Sequence, residues 1–114
     1  MPLTFVNNSA TISTTEYSLP SVSTTRVAQT DKCVLQVFID FNALTHGDEY
    51  RIRLYEKQAE ANPQRIIEEW FVAGVQSTPL WTSPSIIVGE GWDVTVQRTA
   101  GADRAIPWSL RKVT

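Results

Sequence analysis

Histidine and cysteine occur only once each in this chain, as His46 and Cys33. That scarcity removes most common routes to chemistry. One cysteine cannot close a disulfide within the chain. Zinc sites built from four cysteines, or from paired cysteines and histidines, are excluded as well. A non-haem iron site of ordinary composition also lacks its ligands. His46 sits in a Thr-His-Gly turn with no prepared frame holding a serine beside it, so it reads as an exposed loop residue rather than a catalytic base. Cys33 opens a run of alternating apolar residues. No base or cation is visible to make it a thiolate, so it reads as a small buried hydrophobe. We therefore expect no enzyme activity, no metal and no cofactor.

Long apolar runs are missing too. No stretch approaches the ~20 residues that span a bilayer, and the N-terminus shows no basic segment followed by an apolar run. The expectation is a chain made and folded in a reducing cytoplasm, with no membrane partner. Positive charge is not in excess. Ten Lys and Arg face twelve Asp and Glu, for a net charge of -2 and a pI near 5.3. A general nucleic-acid binder needs a basic footprint to neutralise phosphates, so none is expected here. Gly89-Glu-Gly91 lacks the Lys-Ser/Thr ending of a phosphate loop and reads as a hairpin turn. Asp103 alone cannot supply a calcium loop. The pair Glu68-Glu69 would point to opposite faces of a strand, which rules it out as a facing dyad. Asp48-Glu49 sits in a turn that frames no substrate, and reads as a solvent feature.

What is present is alternation. Apolar residues are 42% of 114, enough for one modest core in one domain. Charged residues are 19%, below the usual ~25%, so much of the surface must be Ser, Thr, Asn and Gln. The clearest stretch is Cys33–Lys57. Leu35, Val37, Ile39 and Phe41 share one face of its first run, while Gln36 and Asp40 lie on the other with Val34 and Phe38. In its second run Tyr50, Ile52 and Leu54 share a face, and Arg51, Arg53 and Tyr55 point away. A period of two marks strands. The Asn-, Gly- and Asp-bearing segment between them predicts a short loop closing an antiparallel pair, with Leu44 plugging the core beneath it.

Elsewhere the spacing predicts strands over Leu3–Val6, Ser85–Val88, Trp92–Gln97 and Ala105–Val113. Arg65–Val75 fits one helical face through Ile66, Ile67, Trp70 and Phe71. It also fits a strand, which its β-branched and aromatic residues between Pro63 and Gly74 favour. The total is about seven or eight strands at roughly 10-residue spacing. The expected fold is all-β, a single-domain antiparallel β-sandwich or barrel. Residues 1–25, rich in Ser, Thr and Asn, form an irregular N-terminal arm or edge strand, and residues 26–114 form the sandwich. Arginines among aromatic residues mark interfaces. The candidate interface residues are Pro79, Trp81 and Pro84, in a segment where a tryptophan between prolines is hard to bury on a ladder, with Arg51, Arg53, Arg65 and Tyr17.

Asp40–Tyr55 (DFNALTHGDEYRIRLY) resembles a hairpin in small virion proteins of tailed bacteriophages. Trp92–Trp108 (WDVTVQRTAGADRAIPW) resembles their closing hairpin. With the intervening strands the resemblance covers roughly residues 33–112. It implies a structural protein of the virion, of the capsid decoration or cement type. Such a subunit binds the major capsid protein, often as a trimer. A tail, fibre or head–tail joining part is the neighbouring reading. A different class is a carbohydrate-binding β-sandwich with Trp70, Trp81 or Trp92 as a stacking platform.

Overall fold

In the computed structural model, which describes residues 2–114, the chain forms nine strands and, among the described residues, no helix. They are β1 (Leu3–Ile12), β2 (Tyr17–Ser18), β3 (Cys33–Asp40), β4 (Glu49–Glu56), β5 (Arg65–Ala73), β6 (Leu80–Thr82), β7 (Ile86–Val88), β8 (Asp93–Ala100) and β9 (Arg104–Val113). The two-residue period dictates these elements. In β3, Cys33, Leu35, Val37 and Ile39 are buried and the residues between them are not. In β4, Tyr50, Ile52 and Leu54 are buried. The Arg65–Val75 ambiguity resolves to a strand, because β5 pairs with β4 along its length and turns Val72 and Trp70 toward the core. β1 extends well past the expected Val6, pairing with β9 from Leu3 through Ile12.

The strands build two antiparallel sheets. One runs β1-β9-β3, with β6 and β7 sharing the far edge of β3; the other runs β2-β8-β4-β5. The sheets face each other as a sandwich and do not close into a barrel. With β6 and β7 counted as one interrupted strand, the chain changes sheet at every step except β4 to β5. This order is the double Greek key of a jelly roll.

That topology corrects the two expected hairpins. β3 and β4 lie in different sheets, as do β8 and β9, and the Gly89-Glu-Gly91 turn likewise joins strands of opposite sheets. Each connection is an arch over one end of the core. Alternation reports which face of a strand is apolar. It does not report whether the next strand lies beside it or across the core. Even the short link between Ala100 and Arg104 suffices, since packed sheets stand ~10 Å apart and an extended chain covers ~3.4 Å per residue.

The core lies between the inner faces. Ile12, Leu35, Ile39, Ile106 and Leu110 from the first sheet meet Tyr50, Ile52, Leu54, Val94 and Val96 from the second. Leu44 closes the end beneath the β3–β4 arch, as expected. Aromatic pairs from opposite sheets close the two sides. Tyr17 stands edge-on to Trp108 at 5.6 Å, and Trp70 edge-on to Trp81 at 5.1 Å. Two prolines show how a ladder tolerates a missing donor. Pro107 lies where β9 pairs only with β1, beyond the last β3 partner. Pro84 interrupts β6 and β7. There the Ser83 hydroxyl accepts from the Val37 amide at 2.9 Å, in place of a strand carbonyl.

Replacing fully buried Ile39 by alanine is expected to lower stability by about 2–5 kcal/mol. Replacing exposed Ile87 should change it by less than about 0.5 kcal/mol. Urea denaturation of both variants checks this. Equal losses would contradict the assignment of inner and outer faces.

Candidate protein-docking surface

The outer face of the second sheet carries Arg51 and Arg53, two of the predicted interface residues, and it is occupied by internal partners. The segment after β2 folds back over this face. The Leu19 amide donates to Val94, and Gln29 exchanges two backbone hydrogen bonds with Trp92. Arg26 of that segment lies 4.0 Å over the Tyr55 ring and donates to Asp93 Oδ2 at 2.9 Å. Ser18 donates to the other Asp93 oxygen at 2.7 Å. Glu16 accepts from Tyr55 Oη at 2.5 Å and from Thr95, and stands 3.6 Å from Arg26. Arg53 is held by Glu69 at 2.6 Å, and Arg51 by Gln97.

Glu16 and Asp93 respond differently to this setting. Burial pushes the Asp93 carboxyl up, and hydrogen bonds from Ser18 and Arg26 offset that only in part. Burial also raises Glu16, but hydrogen bonds from Thr95 and Tyr55 and the charge of Arg26 outweigh it, leaving the group lowered. Two carboxylates driven apart in this way can serve as an acid and a base. Here every one of their oxygens is engaged by the protein itself. The cluster is a clasp that fastens the crossing segment to the sheet.

At the end bearing the β3–β4 arch, Asp48 does similar work. The turn expected to be a solvent feature holds a carboxylate only 3% exposed. Asp48 accepts from the amides of Thr45 at 2.8 Å and Ala102 at 3.0 Å, and from Arg104 Nε at 2.8 Å. Those amides, then the guanidinium, hold its carboxyl well below the usual carboxylate range. A side chain at Gly101 would strike Asp48, so only glycine fits there, at φ +87°. His46 stays exposed in the same loop. Cys33 is buried, and burial raises its thiol, followed by the nearby Asp31 charge. It has the character of a packed side chain, not of a nucleophile.

The first sheet presents a different outer face. Cross-strand register lines up Leu3, Val113, Val34 and Ile87 in one row across β1, β9, β3 and β7. Leu3, Val34 and Ile87 are 56%, 38% and 82% exposed. Beside that row the Arg111 guanidinium lies 3.8 Å from the Phe38 ring centroid and 4.8 Å from that of Phe5. This is a largely apolar patch with one cation held by aromatic rings and Gln36 in the same row as Arg111. The outer face of the second sheet differs: there the β4 and β8 side chains are polar and mostly engaged with one another, and the exposed apolar residues of its strands are confined to β5, at Ile66 and Phe71.

The predicted residues do not gather there. Tyr17 faces inward onto Trp108. Trp81 lies on a ladder after all, opposite Ile39, and its ring packs on Trp70. The Pro79 carbonyl accepts from the Phe41 amide at 2.8 Å, and Pro84 is exposed at the break between β6 and β7. Arg65 opens β5 at the opposite end from Asp48. Trp92 is fully buried and donates to the Asp31 carbonyl, so it offers no ring for a sugar. The face formed by Phe5, Val34, Phe38, Ile87, Arg111 and Val113 was missed. Its signal was present in β3, where Val34 and Phe38 break the polar half of the alternation.

Among the described residues, no three His, Cys, Asp or Glu side chains cluster as metal ligands. Comparison with protein-family models, with curated proteins and with solved structures finds no match.

Asp48 has a testable signature. Its carboxyl is depressed from 3.8, so its contribution is complete above that pH and is lost as pH falls through the lower folded value. Asp48→Asn should lower the melting temperature at neutral pH. The gap to the wild type should narrow as pH drops below about 4. A gap constant with pH would refute the linkage.

Proposed function

We propose that this chain is a structural virion protein of a tailed phage, a capsid decoration subunit that docks on the major capsid protein through the outer face of its first sheet. The apolar row Leu3, Val113, Val34 and Ile87 carries this reading. Exposed apolar patches of this continuity mark protein contacts. The surface is the outer face of a sheet rather than a concave site, which suits a protein shell better than a small ligand. Arg111, held over Phe5 and Phe38, supplies an arginine whose orientation is already fixed, a residue type enriched where binding energy concentrates. The jelly-roll order adds an analogy only, since that fold serves capsid proteins, lectins and cupins alike. The resemblance of Asp40–Tyr55 and Trp92–Trp108 to small phage virion proteins, carried by sequence pattern alone since neither segment is a hairpin, favours the first of these.

The opposite outer face supports the same assignment. Its arginines, carboxylates and hydroxyls already hold one another, so docking there would first break internal bonds. Docking on the first sheet breaks none of these.

Co-sedimentation with assembled capsids of the encoding phage tests the proposal. The expected copy number is comparable to that of the capsid subunit. Val34→Asp should reduce affinity by about 2 kcal/mol, roughly thirtyfold, without unfolding the protein, because Val34 is outward-facing. A handful of copies per virion would move the role to the tail. Undiminished binding by the variant would exclude this face.

A further inference from the structure

We propose that the free edge of β5 binds an extended, acidic segment of a partner protein, added as a further strand to the second sheet. β5 pairs with β4 on one side and with no strand on the other. Edge strands are ordinarily short, or guarded by lysine, proline or a bulge, because their unpaired amides and carbonyls template further strands. β5 is nine residues long and contains neither lysine nor proline. It exposes Ile66, Ile67 and Phe71 by 45%, 45% and 55%. Its guards are a bulge at Ile67, the residue left without a partner where Glu68 opposes Leu54 and Ile66 opposes Tyr55, and the charges of Arg65, Glu68 and Glu69.

Beside this half of β5 lies a groove of about 820 Å³, walled by Ile67 on one side and by Ile87 and Val88 on the other. Its charges are unequally matched. Glu56 is engaged, accepting from the amides of Gly89 at 2.5 Å and Glu90 at 3.1 Å. Glu90 stands 3.6 Å from Lys32. Lys57 and Arg65 also line the groove, and neither has an anionic partner among the described residues. Lys57 is held in place, since its methylenes fill the space where a side chain at Gly91 would stand. Along β5 the next charges are Glu68, which has no ion pair among the described residues, and Glu69, which is paired with Arg53. The incoming strand therefore carries its carboxylates at the Lys57–Arg65 end. Its apolar side chains lie against Ile67 and Ile87, and no acid lies beside Glu68. Main-chain hydrogen bonds to the β5 edge supply affinity and the groove supplies selection, as in other strand additions. This surface is separate from the outer face of the first sheet except at Ile87, the corner they share.

The probe is a capped peptide of about 10 residues, enough to span β5, alternating valine and threonine with two aspartates near one end. Its twin carries lysines in place of the aspartates. The aspartate peptide should shift backbone amide NMR signals of β5. It should bind about five- to tenfold more tightly than the twin, the factor expected of two partly exposed ion pairs. In the double variant Lys57→Glu, Arg65→Glu the preference should reverse while the melting temperature stays near that of the wild type. Equal affinity for both peptides, or shifts confined to other strands, would overturn the proposal. So would displacement of the peptide from these residues by a single-stranded oligothymidine at lower concentration, or β5 shifts produced by concentrating the protein alone.

Discussion

Asp48 fixes what the arches of a jelly roll cannot fix for themselves. A hairpin is held by the ladder between its own strands, whereas an arch joins strands that never pair. Three connections meet at this residue. Its carboxylate takes the Thr45 amide of its own loop, the Ala102 amide of the β8–β9 arch and the Arg104 guanidinium. Its carbonyl accepts from Gly74 at 2.8 Å, just past the end of β5. A buried carboxylate is costly unless its oxygens are satisfied. Here they are, and the cost of burying the charge becomes a constraint on where three loops can lie. The Arg26 clasp does the corresponding work at the far end, where the crossing segment has few apolar contacts of its own.

Those two polar clusters divide the exterior. One outer face is spent on holding the fold, since most of its charged groups are tied to Arg26, Glu16 and Asp93 or to Glu69, and Arg51 to Gln97. The outer face of the first sheet has no such duty, and at the end of β1 that holds Leu3 and Phe5 its exposed residues are largely apolar, giving way to Asn7, Ser9 and Thr11 further along. This asymmetry, more than any single residue, is what the proposed docking on the first sheet rests on, whereas the proposed strand addition rests on the unpaired edge of β5. Both surfaces surround backbone that the core holds rigid, so binding would order little that is not already ordered.

Much of this was legible in the chain. The strands containing Cys33–Asp40, Glu49–Glu56 and Asp93–Gln97 followed from alternation, and so did the buried set Leu35, Ile39, Ile52 and Val94. Their partners did not follow, because a period of two carries no information about pairing across forty or more residues. The expected hairpins became arches for that reason. The interface was read from residue type, favouring arginine, tryptophan and proline. Type could not show that Arg53 would meet Glu69 or that Trp81 would meet Trp70, since both contacts join different strands and depend on how those strands are placed. Val34 and Phe38 were visible as apolar residues on a polar face. Only the register with Leu3, Val113 and Ile87 turned them into a surface.

The pairing of β1 with β9 also bears on synthesis. β1 precedes every other strand, yet its only partner is the last strand of the fold. While the ribosome completes the chain, β1 waits without a ladder, the condition in which exposed strands associate with other chains. Its composition suits the wait. From Asn7 to Thr11 it is Asn, Asn, Ser, Ala and Thr, and only Ile12 is fully buried in the finished core. The stretch Asn7–Thr11 thus offers little to aggregate through before β9 arrives, and the larger apolar residues of β1 are confined to Leu3, Phe5 and Val6 at its start and Ile12 at its end.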